Sequence, residues 1–159
     1  MGFRRKGREY ALQLLFGSDL SRTVEPVAIG RPAEGLRAFW GQRRAAPEVQ
    51  SFAESLVQGV SAHVDDIDSV ISRHAKNWTM ARMAAVDRNV LRLAVYELRY
   101  SPETPERVVL NEAIEIAKKY GSDDSGAFVN GILDDIVKHE PAVVARRDVE
   151  RVDAGHGCL

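Results

Sequence analysis

Apolar residues recur every three or four positions through Val49, Phe52, Leu56, Val60, Val64, Ile67, Val70 and Ile71. At 3.6 residues per turn this is an amphipathic helical face of roughly seven turns, with a break expected near "HVDDID". Helical spacing governs the rest of the chain as well, and no segment shows the two-residue alternation of a half-buried strand. Such a chain can bury its apolar surface only by packing helix against helix. The expected fold is all-α, with two small helical subdomains packed together.

Punctuation residues set the expected boundaries. A first helix covers about 5–17 and stops at Gly17. Residues 18–47, with Pro26, Gly30, Pro32, Gly35 and Gly41, leave room for one short helix around Leu36, Phe39 and Trp40. "KNWT" reads as a junction, followed by a helix over about 80–100 that is apolar around most of its girth (Val86, Val90, Leu91, Leu93, Ala94, Leu98). Thr104 and Pro105 start another helix, which ends at "KKYG" with cations in its last turn and Gly121 as C-terminal cap. Ser122 caps the next, which buries Val129, Ile132, Leu133 and Ile136. The organisation expected is an N-terminal subdomain over 1–76, a second over 77–140, and a tail over 141–159.

Charge is unevenly distributed over the 159 residues, whose formal net charge is −1. Residues 1–120 carry 18 Lys+Arg against 15 Asp+Glu, and residues 121–159 carry 4 against 8. Basic character is therefore local, and its densest point is "RRKGR", with Arg4, Arg5, Lys6 and Arg8. The apolar run after it is short, interrupted by Gln13 and followed by Asp19 and Arg22, which argues against a secretory signal. Cys158 is the only cysteine, so no intrachain disulfide forms, in keeping with a reducing cytoplasm. The four histidines are scattered without metal-site spacing, and no stretch has the length of a membrane-spanning helix.

On the first helix, with about 100° per residue, Tyr10, Ala11, Leu14 and Leu15 share one arc and form the expected core face. The opposite arc holds Arg5, Glu9, Gln13 and Phe16. A ring beside an arginine and an amide suits single-stranded nucleic acid: phosphates take cations, and unpaired bases take a flat ring and an amide. A solvated basic end with Phe16 packed under a loop fits the same residues, and this helix alone leaves both open. A second stripe, Arg88, Arg92 and Arg99 flanked by Tyr96, has two readings as well: a polyanion surface, or pairing with acids on neighbouring helices. Two basic stripes with adjacent aromatics favour the polyanion. Duplex DNA is disfavoured because no groove-reading signature appears. With no glycine-rich phosphate loop, nucleophile pair or metal spacing, the chain reads as a binding protein.

The segment from Ala84 to Ile136, with "VDRNVLRLAVYEL", "VVLNEAIEIAKKYG" and "FVNGILD" in that order, closely resembles the C-terminal half of the NusB family of bacterial transcription antitermination factors. "REYALQLLF" with its basic lead-in resembles that family's N-terminal start. The resemblance implies an all-helical, non-enzymatic protein without cofactor. It further implies binding to the single-stranded boxA element of ribosomal RNA leaders together with NusE, a small-subunit ribosomal protein, and assembly with other Nus factors on RNA polymerase to suppress termination. Carried over residue by residue, the family's RNA surface falls on Arg4, Arg5, Lys6, Arg8, Gln13, Phe16, Asp87, Arg92, Asp124, Ser125 and Phe128. Phe16 stands where relatives often have Tyr, which keeps stacking and loses a hydroxyl contact. Asn111, Glu112 and Asn130 are expected to be buried or half-buried residues that hold helices together, and Gly131 to mark close helix packing. Two rival functions are an RNA-binding module of an RNA methyltransferase, for which paired cysteines are lacking, and a protein-binding helical adaptor, including a homodimer that hides the basic arm.

Overall fold

The structure, a computed structural model, describes residues 2–21 and 32–144. Seven helices follow one another in these residues: α1 (Phe3–Ser21), α2 (Pro32–Gly41), α3 (Pro47–Ala62), α4 (Val64–His74), α5 (Ala85–Tyr100), α6 (Glu106–Tyr120) and α7 (Ser125–His139), with a 3₁₀ turn at Met80–Arg82. No strand occurs among the described residues. The all-α expectation is met, and the chain divides into two compact units, Met1–Val64 and Asp65–Leu159.

That division falls at the first residue of α4, whereas the sequence placed it after residue 76. Ion pairs account for the difference. α4 is joined to later helices by Arg92 Nε and Nη2, which donate to Asp68 Oδ1 and Oδ2 at 2.8 and 3.0 Å. Asp66 accepts from Arg99 and, at 2.7 Å, from the Tyr100 hydroxyl. At the other end of α4 the His74 ring lies between Asp135 (2.5 Å) and Glu140 (3.1 Å), and Arg73 Nη2 donates to Glu140 at 2.8 Å.

In the first unit α1 packs chiefly on α3. Ala11, Leu12 and Leu15 are buried from one helix, and Val49, Ala53, Leu56, Val57 and Val60 from the other. α2 adds aromatic edges: Tyr10 meets Phe39 at 6.2 Å and Trp40 at 5.2 Å, both T-shaped, and Trp40 Nε1 donates to Glu54 at 2.8 Å. The long apolar pattern breaks at His63, whose N–H reaches Val60 O at 3.3 Å and closes α3.

In the second unit α5 packs on both α6 and α7, which pack on each other. Val90, Leu91, Leu93, Ala94, Val95 and Leu98 are all buried, as a central helix requires. α5 begins at Ala85 rather than near residue 80, because Arg88 donates to the carbonyls of Met80 and Met83 (both 2.9 Å) and holds the preceding 3₁₀ turn as a separate element.

Other boundaries differ in instructive ways. α1 runs through Gly17 to Ser21. Gly121 ends α6 with an extended backbone (φ −94°), not a left-handed one. Its requirement is close approach, since an added Cβ would lie 2.3 Å from Ser125 Oγ and 2.7 Å from the Ala117 carbonyl. α7 begins at Ser125 with Asp124 at its N-cap, so Ser122 does not cap it; the Ser122 N–H instead donates to Ser125 Oγ at 2.9 Å in the turn that precedes the helix. Asn111 and Asn130 are exposed, and a Cβ on Gly131 would meet nothing within 4 Å, so neither expectation of helix-joining contacts there holds. Residues 141–144 form a further helical turn with Val143 buried; the tail expected over 145–159 lies outside the described residues.

Candidate nucleic-acid interface

The basic start of α1 is shaped by a helix partner the wheel could not include. α3 covers a wide arc of α1, and Arg8 and Glu9 are buried in it, 4% and 2% exposed. Leu12 joins the core, whereas Leu14 is only half-buried. The Arg8 guanidinium lies 5.6 Å over the Phe52 ring, so this cation takes part in α1–α3 packing. Arg4 and Lys6 are exposed and Arg5 is half-buried. Lys6 Nζ sits 5.5 Å over the Tyr10 ring and 4.0 Å from Glu9.

Further along α1, Gln13 and Phe16 are both half-buried. Arg43, at the end of α2, donates through Nε and Nη2 to Gln13 Oε1 at 3.4 and 3.3 Å. The same guanidinium lies 3.6 Å over Phe39 and donates to the Phe39 carbonyl at 2.8 Å. The Gln13 amide oxygen is thus taken up by Arg43, which ties α1 to the end of α2. Sequence reasoning missed Arg43, although the pair Arg43–Arg44 following Phe39 and Trp40 repeats the cation-beside-aromatic signal of α1.

In the second unit the expected residues divide. Asp124 is exposed at the N-cap of α7 with no side-chain capping bond, and Phe128 is half-buried one turn later. Ser125, between them in sequence, is buried and committed to the Ser122 N–H. Arg92 is 6% exposed, paired with Asp68, and also donates to Asn89 Oδ1 at 3.1 Å. Arg88 and Arg99 are likewise engaged, with backbone carbonyls and Asp66 respectively, so in this arrangement the arginine stripe of α5 ties the unit together. The Arg99 and Tyr100 hydrogen bonds hold the Asp66 carboxyl below its ordinary range, and Asp66 in turn raises both Arg99 and Tyr100. Asp87 is buried in the first turn of α5, and its Oδ1 has no hydrogen-bond partner among the described residues.

Phe128 has a neighbour that sequence reasoning passed over. Trp78, read only as part of a junction, meets it edge to face, with ring centroids 6.2 Å apart and planes at 85°. Asp124, Phe128 and Trp78 thus belong to one surface, from which Arg92 and Ser125 are withdrawn. No group of three His, Cys, Asp or Glu among the described residues could hold a metal ion, and none of the described helices is long and apolar enough to cross a membrane.

The NusB family model matches residues 5–138. The chain belongs to the NusB family. It is 44% identical over 138 residues to a transcription antitermination protein NusB of Myxococcus xanthus, an alignment covering 84% of this chain and 94% of that one. Against the NusB of Citrifermentans bemidjiense identity is 48% over 139 residues, covering 86% and 94%. Among solved structures, a NusB of T. maritima superposes with a TM-score of 0.74 at 35% identity, covering 91% of this chain and 96% of that one. A NusB described in complex with NusE and double-stranded RNA superposes at 0.72 with 29% identity, covering 87% and 98%.

Proposed function

We propose that this NusB-family chain is a non-enzymatic transcription antitermination factor that binds single-stranded boxA-type RNA of ribosomal RNA leaders together with NusE. In this reading it joins other Nus factors on RNA polymerase in the cytoplasm and suppresses termination. The observation that carries it is the outer side of α1, where exposed Arg4 and Lys6 precede Gln13 and the half-buried ring of Phe16. Cations there serve phosphates, and the amide and ring serve an unpaired base. Support also comes from the relatives' shared name and from the NusB structure described with NusE and RNA. On the second unit, Asp124 and Phe128 are proposed as RNA contacts in their own right. Asp87, Arg92 and Ser125 act by positioning, since all three are buried.

Salt dependence of RNA affinity tests this. Arg4, Arg5 and Lys6, each neutralising one phosphate, contribute a log–log slope of about −2 on a single strand. Changing all three to Ala should flatten the slope by about that amount and weaken cognate and scrambled strands alike. Light scattering with and without RNA reads oligomeric state in the same samples. A helical adaptor, or a homodimer that hides the arm, would show no RNA-dependent shift and no change of slope.

A further inference from the structure

We infer that Trp78 is an additional base-stacking residue, forming with the perpendicular ring of Phe128 a corner for one unpaired RNA base. The inference deepens the RNA-binding reading and rests on it. Trp78 is 52% exposed, beside Phe3 at 49% and Val108 at 41% as the large hydrophobic side chains most open to water among the described residues. Tryptophan is a highly buried residue on average, so an indole left half in solvent is informative.

Its mounting is not that of a loose loop. The Trp78 N–H reaches the Ala75 carbonyl at 3.3 Å, and the next turn closes through Arg82 N–H to Thr79 O (3.0 Å) and Met83 N–H to Met80 O (3.3 Å). Arg88 then clamps the carbonyls of Met80 and Met83 from α5. The indole is therefore presented from a bonded segment, with little ordering left to do on binding.

Orientation adds the chemistry. In an edge-to-face pair the two rings cover little of one another's surface, so a base can stack on the exposed indole while the perpendicular Phe128 ring borders it. Phe128 follows Asp124 by one helical turn, which places a carboxylate acceptor for base N–H groups beside the rings. Lys76, exposed two residues before Trp78, supplies a cation for the adjoining phosphate. Ring, acceptor and cation, drawn from the Lys76–Trp78 segment and from Asp124 and Phe128 of α7, match what an unpaired nucleotide takes.

The chain has two tryptophans, Trp40 and Trp78, which makes emission a direct probe. Stacking of a base on Trp78 should quench wild-type fluorescence during titration with single-stranded boxA-type RNA. In Trp78→Phe, where only Trp40 emits, the quench should vanish while most of the affinity remains. By anisotropy of labelled RNA, Trp78→Ala should bind on the order of tenfold more weakly. If wild type binds RNA but its emission is unchanged and Trp78→Ala binds within twofold, Trp78 is not a stacking residue and the RNA reading stands. If wild type binds no RNA, that reading falls and takes this inference with it. Retained RNA affinity with lost binding of the NusE-type protein would assign Trp78 to protein docking and overturn the proposal. Should Trp78→Ala not fold, the Trp78→Phe emission titration still decides.

Discussion

Arg92 grips Asp68 with two parallel hydrogen bonds, at 2.8 and 3.0 Å, across 24 residues of sequence. A fork of this kind is geometrically specific, and the arginine is buried on α5 while the aspartate is about a quarter exposed on α4. Removing the arginine leaves a carboxylate that cannot fully rehydrate. Arg92→Ala should therefore cost about 2–3 kcal/mol of unfolding free energy, below the range for a fully buried pair. Arg92→Lys, a point charge without the fork, should fall between. The readout is chemical denaturation paired with RNA binding at several salt concentrations. A lost phosphate contact would instead leave stability level and flatten the salt slope by about 0.7.

Acid should loosen the same unit. Asp66 is held low chiefly by its hydrogen bond from Arg99 and then by Tyr100, and Asp135 chiefly by its hydrogen bond from His74. In the unfolded chain both carboxyls return to about 3.9, so below that pH the unfolded state binds more protons than the folded one. The stabilisation is complete above roughly pH 4 and is lost as pH falls through the lower folded values. Both groups are accessible to solvent, so the effect should also shrink in high salt. Urea midpoints between pH 6 and pH 2.5 check this. Asp66→Asn and Asp135→Asn should be less stable than wild type at pH 6 and converge on it in acid; parallel curves would remove these pairs from the account.

Two helical glycines should respond to alanine with opposite signs. A Cβ on Gly131 meets open space, and Gly is about 1 kcal/mol worse than Ala inside a helix, so Gly131→Ala should stabilise by roughly that amount. A Cβ on Gly7 would lie 2.5 Å from Phe52 Cδ1. That ring also meets Phe3 at 6.1 Å and lies under Arg8, so displacing it disturbs the α1–α3 contact. The propensity gain is offset, and Gly7→Ala should be a net loss of about 1 kcal/mol. Denaturation midpoints of the two variants decide, and like signs would show that packing at Phe52 is looser than its geometry.

These residues also mark where sequence reasoning reaches its limit. Helix positions were legible because a 3.6-residue apolar period, Pro47, Pro105 and the "HVDDID" break are local signals. Burial of Arg8 and Glu9 was not, since a helical wheel sorts residues by polarity and cannot know how wide an arc α3 covers. The partners of Arg92 and Trp78 lie 24 and 50 positions away, and nothing local in either stretch names Asp68 or Phe128. Gly131 misled for a related reason: helix propensity says what a glycine costs, not whether a neighbour requires it. The residue types of the proposed surface could be read in advance; which of them face solvent could not.

Asp124 offers the sharpest test of base reading. It sits exposed at the N-cap of α7, and its carboxylate makes no capping hydrogen bond; the nearby side-chain bond to a free N–H is made by Ser125 instead. Its stabilising role is then limited to the helix dipole, about 0.3–1 kcal/mol. A carboxylate repels phosphate, so on an RNA surface it can contribute only by accepting hydrogen bonds from base amino or imino groups. Asp124→Asn keeps the shape, removes the charge and adds a donor. General RNA affinity should stay level or rise, because one repulsion is gone. Discrimination between boxA-type RNA and a scrambled strand should shrink, because the amide can also pair with acceptor edges that the carboxylate rejected. Paired titrations at one salt concentration, with a melting curve as control, measure both quantities. If the ratio of the two affinities is unchanged, Asp124 serves only the start of α7.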